Sequence, residues 1–283
     1  MTISRGHVPP NEKRKRQREH WEKVAQQMPD LFPASSTQYY RHCEIALIER
    51  SFGDLRGKRV LKLDLWNEAV NTRILNWMQS EGAEVYGIDV SYTTTSGANQ
   101  KSQSLMSPMH VAQADIRHLP FQSNSFDFVY TMGTIEHIDE YAEAVREVHR
   151  VLKDGGAAII GVPHKWNIFL RPLLVTILSL FDKYPYSPEK SFSYGALRRV
   201  VEESGLRVRR RTGILALPGI IRMADVFFFT RKIFLHRLIS IFLWPFDYIE
   251  TRWEWPGFFG YLIAVVVEKQ IENISGPPTS WRL

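Results

Sequence analysis

FDFVYTMGTIEHI at 126–138, followed by REVHRVLKDGGAAIIGVP at 146–163, is the stretch that decides the fold. Phe, Val and Tyr fill an apolar strand over 126–131, and Gly133 punctuates its end. A helix is expected over 139–152, closed by Asp154, Gly155 and Gly156, with a second apolar strand over 157–162 stopped by Pro163. Strand, helix and strand in that order imply a parallel crossover.

The pattern continues upstream to Gly57. Residues 59–65 read as the first strand, and 68–80 as a helix carrying Ala69, Val70, Ile74, Leu75 and Met78. The second strand is 84–90 and a short third is 110–114. Ser, Thr, Asn and Gln crowd 91–110 and leave the helix between them underspecified. The expected fold is α/β: a doubly wound, mainly parallel sheet with helices on both faces, a Rossmann-like arrangement. Ligands of such sheets sit beyond the carboxyl ends of the strands, which singles out Asp64, Asp89, Asp115 and Thr131.

The flanks differ in character. Residues 1–20 are polar and basic and read as a loose arm; a short helix over 18–27 can dock through Trp21 and Val24, and a further helix follows over 39–52. After Pro163 come an apolar helix within 163–182, a helix within 185–204, a strand over 207–217, an apolar and basic stretch over 219–246, and a closing strand over 261–268. Helical phasing from Arg222 to Arg237 collects Arg222, Asp225, Lys232, His236 and Arg237 on one side, with Val226, Phe227, Phe234, Leu235 and Leu238 over much of the remainder and Arg231 as the exception. That pattern, with Trp244, Trp253 and Trp255 nearby, suits a membrane interface or a lipid-binding lid through 215–246; packing against the sheet or a dimer partner is the alternative.

Composition narrows the class. Hydrophobic and charged fractions of 44% and 23% are those of a globular protein. A single cysteine, Cys43, excludes an intramolecular disulfide and a cysteine-cluster zinc site, and agrees with a reducing cytoplasm. No apolar segment follows the N-terminal basic residues, and no run reaches the ~18 apolar residues of a membrane span, so a soluble or peripheral cytoplasmic protein is expected. The net charge of +6 concentrates in Lys13, Arg14, Lys15, Arg16 and Arg18 and in Arg207, Arg209, Arg210 and Arg211. Such runs favour phosphates, anionic membranes or acidic substrates, or form a solvated face. Zinc-finger spacing and an aromatic RNA-binding signature are both missing, which argues against nucleic acid, and the oligomeric state is not readable.

The segments 126–138 and 146–163 together resemble the class I S-adenosylmethionine (SAM)-dependent methyltransferase superfamily, most closely its ubiquinone, menaquinone and small-molecule branch. The resemblance covers about residues 57–163 and implies SAM as cofactor. Asp89, with Val90, stands where the family binds the ribose hydroxyls; Asp115 and Ile116 stand where it meets the adenine; Thr131 and Gly133 complete the set at strand four. By position, Glu136 and His137 are the base candidates, and His164 after strand five, with Tyr186 or Tyr194, can face an acceptor. Relatives that bind a divalent metal carry a second Glu where this chain has Gly133, so no metal is expected.

One departure is large. The family places an acid and three alternating glycines after strand one, but VLKLDLWNEA at 60–69 has Lys62 in the acid's position and Asp64, Trp66 and Glu68 for the glycines. Either the loop takes another path and Asp64 or Asn67 binds the amino-acid end of SAM, or SAM binding is lost. The implied organisation is a basic arm over 1–38, a cofactor-binding core over 39–163, a substrate-side insertion over 164–260, and a closing strand and tail over 261–283. The expected function is methylation of a small or lipid-like acceptor, with oxygen favoured as the nucleophile. The alternative is a non-catalytic interaction module of the same fold.

Overall fold

The computed structural model describes residues 10–104, 109–169, 175–176 and 189–271. The chain runs α1 (Pro10–Gln27), α2 (Ser35–Phe52), β1 (Arg59–Lys62), α3 (Trp66–Val70), α4 (Ile74–Ser80), β2 (Glu84–Asp89), α5 (Tyr92–Ser104), β3 (His110–Gln113) and β4 (Phe126–Met132). After a 3₁₀ turn (Ile135–His137) come α6 (Tyr141–Val151), β5 (Leu152–Pro163), α7 (Tyr194–Glu203), β6 (Leu206–Ile214), α8 (Gly219–Thr230), α9 (Leu235–Arg252), a second 3₁₀ turn (Trp255–Phe259) and β7 (Leu262–Lys269).

Seven strands form one sheet in the order β3-β2-β1-β4-β5-β7-β6. The first five are parallel, and β7 runs antiparallel between β5 and β6. Period-two alternation sorts the side chains. Val60, Ile159, Leu262 and Ala264 join one core layer with α2, α4, and Ile239 and Leu243 of α9. Leu61, Ile160, Ile263 and Val265 join the other, with Val145 and Val148 of α6 and Leu197 and Val201 of α7. Each such aliphatic side chain contributes roughly 1.5–3 kcal/mol by leaving water. The expected doubly wound sheet with a helical C-terminal insertion before its last strand is therefore what the chain forms.

Several boundaries depart from expectation. The loose arm is helical from Pro10, eight residues before the helix expected at 18. The helix expected over 68–80 is two helices, broken at Asn71–Arg73, where Arg73 is left-handed at φ 52°. The polar stretch after β2 is helical as α5. The amphipathic run from Arg222 to Arg237 is split between α8 and α9 at Lys232, with φ 56°. On its polar side, Asp225 is fully buried and accepts the Ser36 N–H at 2.7 Å, while Lys232 is exposed. The apolar helix expected within 163–182 falls mostly outside the described residues, as does Tyr186. Among the described residues no helix is long and apolar enough to cross a membrane.

Candidate active site

The carboxyl ends of β1 to β5 lie along one edge of the sheet, and the loop after β1 is its most unusual part. No residue from Leu63 to Glu68 has a positive φ. The loop thus follows a path that side chains tolerate, and the glycines are not needed for its turn. Glu68 points into the core and is fully buried, as is Lys62. The Lys62 amine donates to the Asp64 carbonyl at 2.7 Å and pairs with Asp64 Oδ1 at 2.9 Å and Glu68 Oε1 at 3.9 Å. Buried Glu44 of α2 joins them, its Oε1 accepting the Tyr130 hydroxyl at 2.6 Å. A lone buried ammonium is prohibitive, but one ringed by carboxylates is tenable. Burial alone would lower the Lys62 pKa; Asp64, Glu68 and Glu44 outweigh it and hold the amine above its ordinary value. Burial drives Glu68 up to about 7, against Lys62 and the Leu75 N–H it accepts at 3.1 Å.

Asp64 stays partly exposed at the carboxyl edge, its Oδ2 accepting the Thr134 hydroxyl at 3.1 Å and tying the β1 loop to the β4 loop. Asn67 turns inward, where its carbonyl accepts the Asn71 amide at 2.8 Å. Asp89 accepts the Leu65 N–H at 3.1 Å and the Ser91 N–H at 2.8 Å, so it braces the neighbouring loop; burial nonetheless lifts it to about 6. Gly87 lets Leu65 close over β2, since a Cβ there would lie 2.3 Å from Leu65 Cδ2. The Val90 carbonyl accepts the Gln113 amide at 3.0 Å.

Asp115 is held by Arg117 at 2.6 and 2.8 Å, and Arg117 also reaches Glu140 at 2.9 Å. Burial pulls Asp115 upward, yet the guanidinium keeps its carboxyl below the usual range. Ile116 is buried beside it. Thr131 lies within the sheet, fully buried, with no hydrogen-bond partner for its hydroxyl. Gly133, left-handed at φ 80°, ends β4 and donates to the Gly161 carbonyl at 3.0 Å. It delivers the 3₁₀ turn in which His137 Nε2 lies 3.8 Å from Glu136 Oε1, both largely buried.

His164 sits at the end of β5, its ring 5.8 Å from that of Tyr194 and its Nδ1 buried without a partner. Burial depresses its pKa. Residues 190–192 bridge the two histidine regions: the Lys190 N–H bonds the Glu136 carbonyl at 3.1 Å, and the Phe192 N–H bonds the Pro163 carbonyl at 2.9 Å.

α1 crosses all four loops. Trp21 meets His137 edge-on at 4.8 Å and Trp66 at 6.5 Å. Glu22 accepts from Ser91 Oγ at 2.8 Å and the Thr93 N–H at 3.2 Å, capping α5. Gln17 donates to the His137 carbonyl at 2.8 Å, and Arg14 lies 3.2 Å from His118. Trp21 and Val24 were the legible signals of this docking; Glu22 and Gln17 join residues too distant in sequence for any local pattern to pair.

Comparison with known proteins agrees with this architecture. Residues 69–160 match a family model described as a methyltransferase domain. A demethylmenaquinone methyltransferase of Staphylococcus epidermidis is 33% identical over 101 residues, 36% of this chain and 40% of that protein. Its Staphylococcus aureus counterpart is 29% identical over 152 residues, 47% and 63% of the two chains. The chain thus spans less than two-thirds of the curated relatives it matches. Among solved structures, magnesium protoporphyrin IX methyltransferase from Synechocystis, with bound S-adenosylhomocysteine (SAH), superposes with a TM-score of 0.55 at 16% identity, covering 94% of this chain and 90% of that one. A SAM-dependent methyltransferase from Mesorhizobium loti gives 0.54 at 14%, covering 80% and 97%. At such identities the likeness is one of fold.

Proposed function

Because the chain belongs to the class I SAM-dependent methyltransferase superfamily, we propose that it transfers the methyl group of SAM to a small or lipid-like acceptor, with oxygen favoured as the nucleophile. The observation that carries this reading is the placement of Asp89 and Asp115 at successive strand ends on one edge. A carboxylate oxygen has two lone pairs, and each oxygen of Asp89 accepts one backbone N–H, which leaves capacity for ribose hydroxyls. Asp64 keeps a partly exposed carboxylate that suits the ammonium of the methionine end. SAM supplies an electrophilic methyl on its sulfonium. The chain's own task is to orient the nucleophile and accept its proton. His137 beside Glu136 is the proposed base, with Trp21 shielding its ring from water. His164, kept neutral by burial, is the second acceptor-side group.

The relatives' names make a quinone-type molecule a concrete member of this acceptor class. A cytoplasmic, membrane-peripheral setting, with contact through 215–246, belongs to the same proposal. The test is calorimetric titration with SAM and SAH, repeated on Asp89→Asn and Asp89→Ala. We expect wild-type binding in the micromolar range and at least about tenfold weaker binding for Asp89→Ala, which is the loss of roughly one charge-assisted bond. The opposing reading, a non-catalytic interaction module, draws on the engagement of Asp115 by Arg117 and of the β2 loop by Glu22. A folded wild type that binds neither ligand would establish it instead.

A further inference from the structure

α8 and α9 bury one apolar face, through Ile221, Phe228, Ile239 and Leu243, and leave a second apolar face outside. Along α8, Asp225 is buried against Ser36 and Arg222 reaches the Ser36 carbonyl at 3.1 Å, while Ile220, Met223 and Phe227 face solvent. On α9, Ile241, Phe242 and Trp244 are each about two-thirds exposed, at 66%, 66% and 65%. The exposed ridge continues through Trp255 and Phe259 just before β7, and through Trp166 just after β5. Isolated exposed apolar residues are ordinary; this many large ones on two packed helices and the adjoining turn mark a surface that something covers.

Charge decides what covers it. Residues 219–259 contain four acids, and every one is drawn into the body. Besides Asp225, Asp247 pairs with His42 at 2.9 Å, Glu250 accepts the Tyr39 hydroxyl and the Ala216 N–H, and Glu254 pairs with Arg210. Arg222 also turns inward, but other cations nearby stay outside. Arg231 lies 3.8 Å over the Phe227 ring, Arg252 3.8 Å over Tyr248, and Lys165 5.3 Å over Trp166, all exposed. Aromatic rings capped by ammonium and guanidinium groups match an interface whose depth is apolar and whose rim is phosphate. A second copy of the chain fits poorly, since a two-fold contact would bring two positively charged faces together.

We propose that this ridge docks on an anionic phospholipid bilayer, and that the carboxyl edge of the sheet is thereby turned toward the lipid. Trp166, Trp255 and Phe259 belong to the same edge as Asp64, Asp89 and His137, because β5 ends and β7 begins there. An apolar acceptor then passes from bilayer to cleft without crossing water. This use of the surface rests on the lipid-acceptor reading; the docking itself does not.

The experiment is co-sedimentation of the full chain with vesicles of phosphatidylcholine alone, or with about a third phosphatidylglycerol. We expect binding at least about tenfold tighter to the mixed vesicles. Arg231→Glu with Arg252→Glu should abolish that preference, and Ile241→Ser, Phe242→Ser and Trp244→Ser together should abolish binding. In parallel, brominated lipid should quench wild-type tryptophan emission, a measurement that needs no variant to fold. No binding, equal binding to both vesicle types, or a dimer in sedimentation velocity that the α9 serine variant dissociates would overturn the proposal. Repeating the SAM titration separates the two readings: vesicle binding by a protein that ignores SAM leaves docking intact and removes the methyl-transfer reading.

Discussion

Lys62 and Glu68 show how one position can be readable in kind and unreadable in consequence. That a lysine replaces the usual acid after β1 is plain from the sequence. That its amine is fully buried among Asp64, Glu68 and Glu44 is not, because Glu44 arrives from α2 by tertiary packing alone. The arrangement has a pH signature. Burial raises Glu68 from 4.5 in the unfolded chain to about 7. Over that interval the native state binds the extra proton, so the group's stabilisation is full below pH ~4.5 and fades as pH rises through ~7. Glu68→Gln keeps an acceptor for the Leu75 N–H and removes the titration. Its urea-unfolding free energy should lose slope between those pH values and exceed wild type at pH 8 by on the order of 1–3 kcal/mol. Equal slopes in the two proteins would show that Glu68 stays ionised throughout. Asp89, lifted to about 6, contributes in the same direction.

At the scale of elements, α1 departs most from what its composition announces. A run of Lys and Arg with two prolines reads as solvated chain, and its helical start at Pro10 rests on contacts made elsewhere. Gln17, Trp21 and Glu22 align on one face at helical spacing and meet the loops after β1, β2 and β4. Glu22 caps α5, whose polar composition gives little helical drive of its own. Glu22→Ala should therefore cost about 1–2 kcal/mol in thermal unfolding, and the loss should concentrate in faster amide exchange over α5. Uniform exchange across the molecule would mean that α1 supports the fold generally and not this helix. The starts of β1 to β4 were legible, because alternating burial on a two-faced core leaves little freedom of register, but β1 stops at Lys62 rather than Leu65, and β5 begins at Leu152, through the Asp154–Gly156 segment read as a turn. The break between α3 and α4 was not legible: Asn71–Arg73 continue an acceptable helical pattern, yet the chain leaves it at left-handed Arg73, and the buried Glu68 carboxylate accepts the Leu75 N–H of the second helix.

For the whole molecule, the parallel direction of the strands follows from alternation of strand and helix, and the candidate residues at strand ends follow from that direction, whereas the order β3-β2-β1-β4-β5 is seen in the fold. What local patterns could not supply is the traffic between distant segments: Arg117 on Asp115 and Glu140, Gln17 on His137, Asp225 under α2. These contacts decide which acids remain open to a ligand. The sheet also ends in β6, where Arg207, Arg209 and Arg211 are all exposed along the outermost strand. An unpaired strand is a template on which another molecule's strand can grow. Here an incoming strand meets the exposed guanidiniums of Arg207 and Arg211, beside Arg209 paired with Glu268, and charge on an edge disfavours such an approach. Substituting all three with threonine should leave the monomer folded at low concentration yet produce light scattering and amide-I bands of intermolecular β-structure on mild heating.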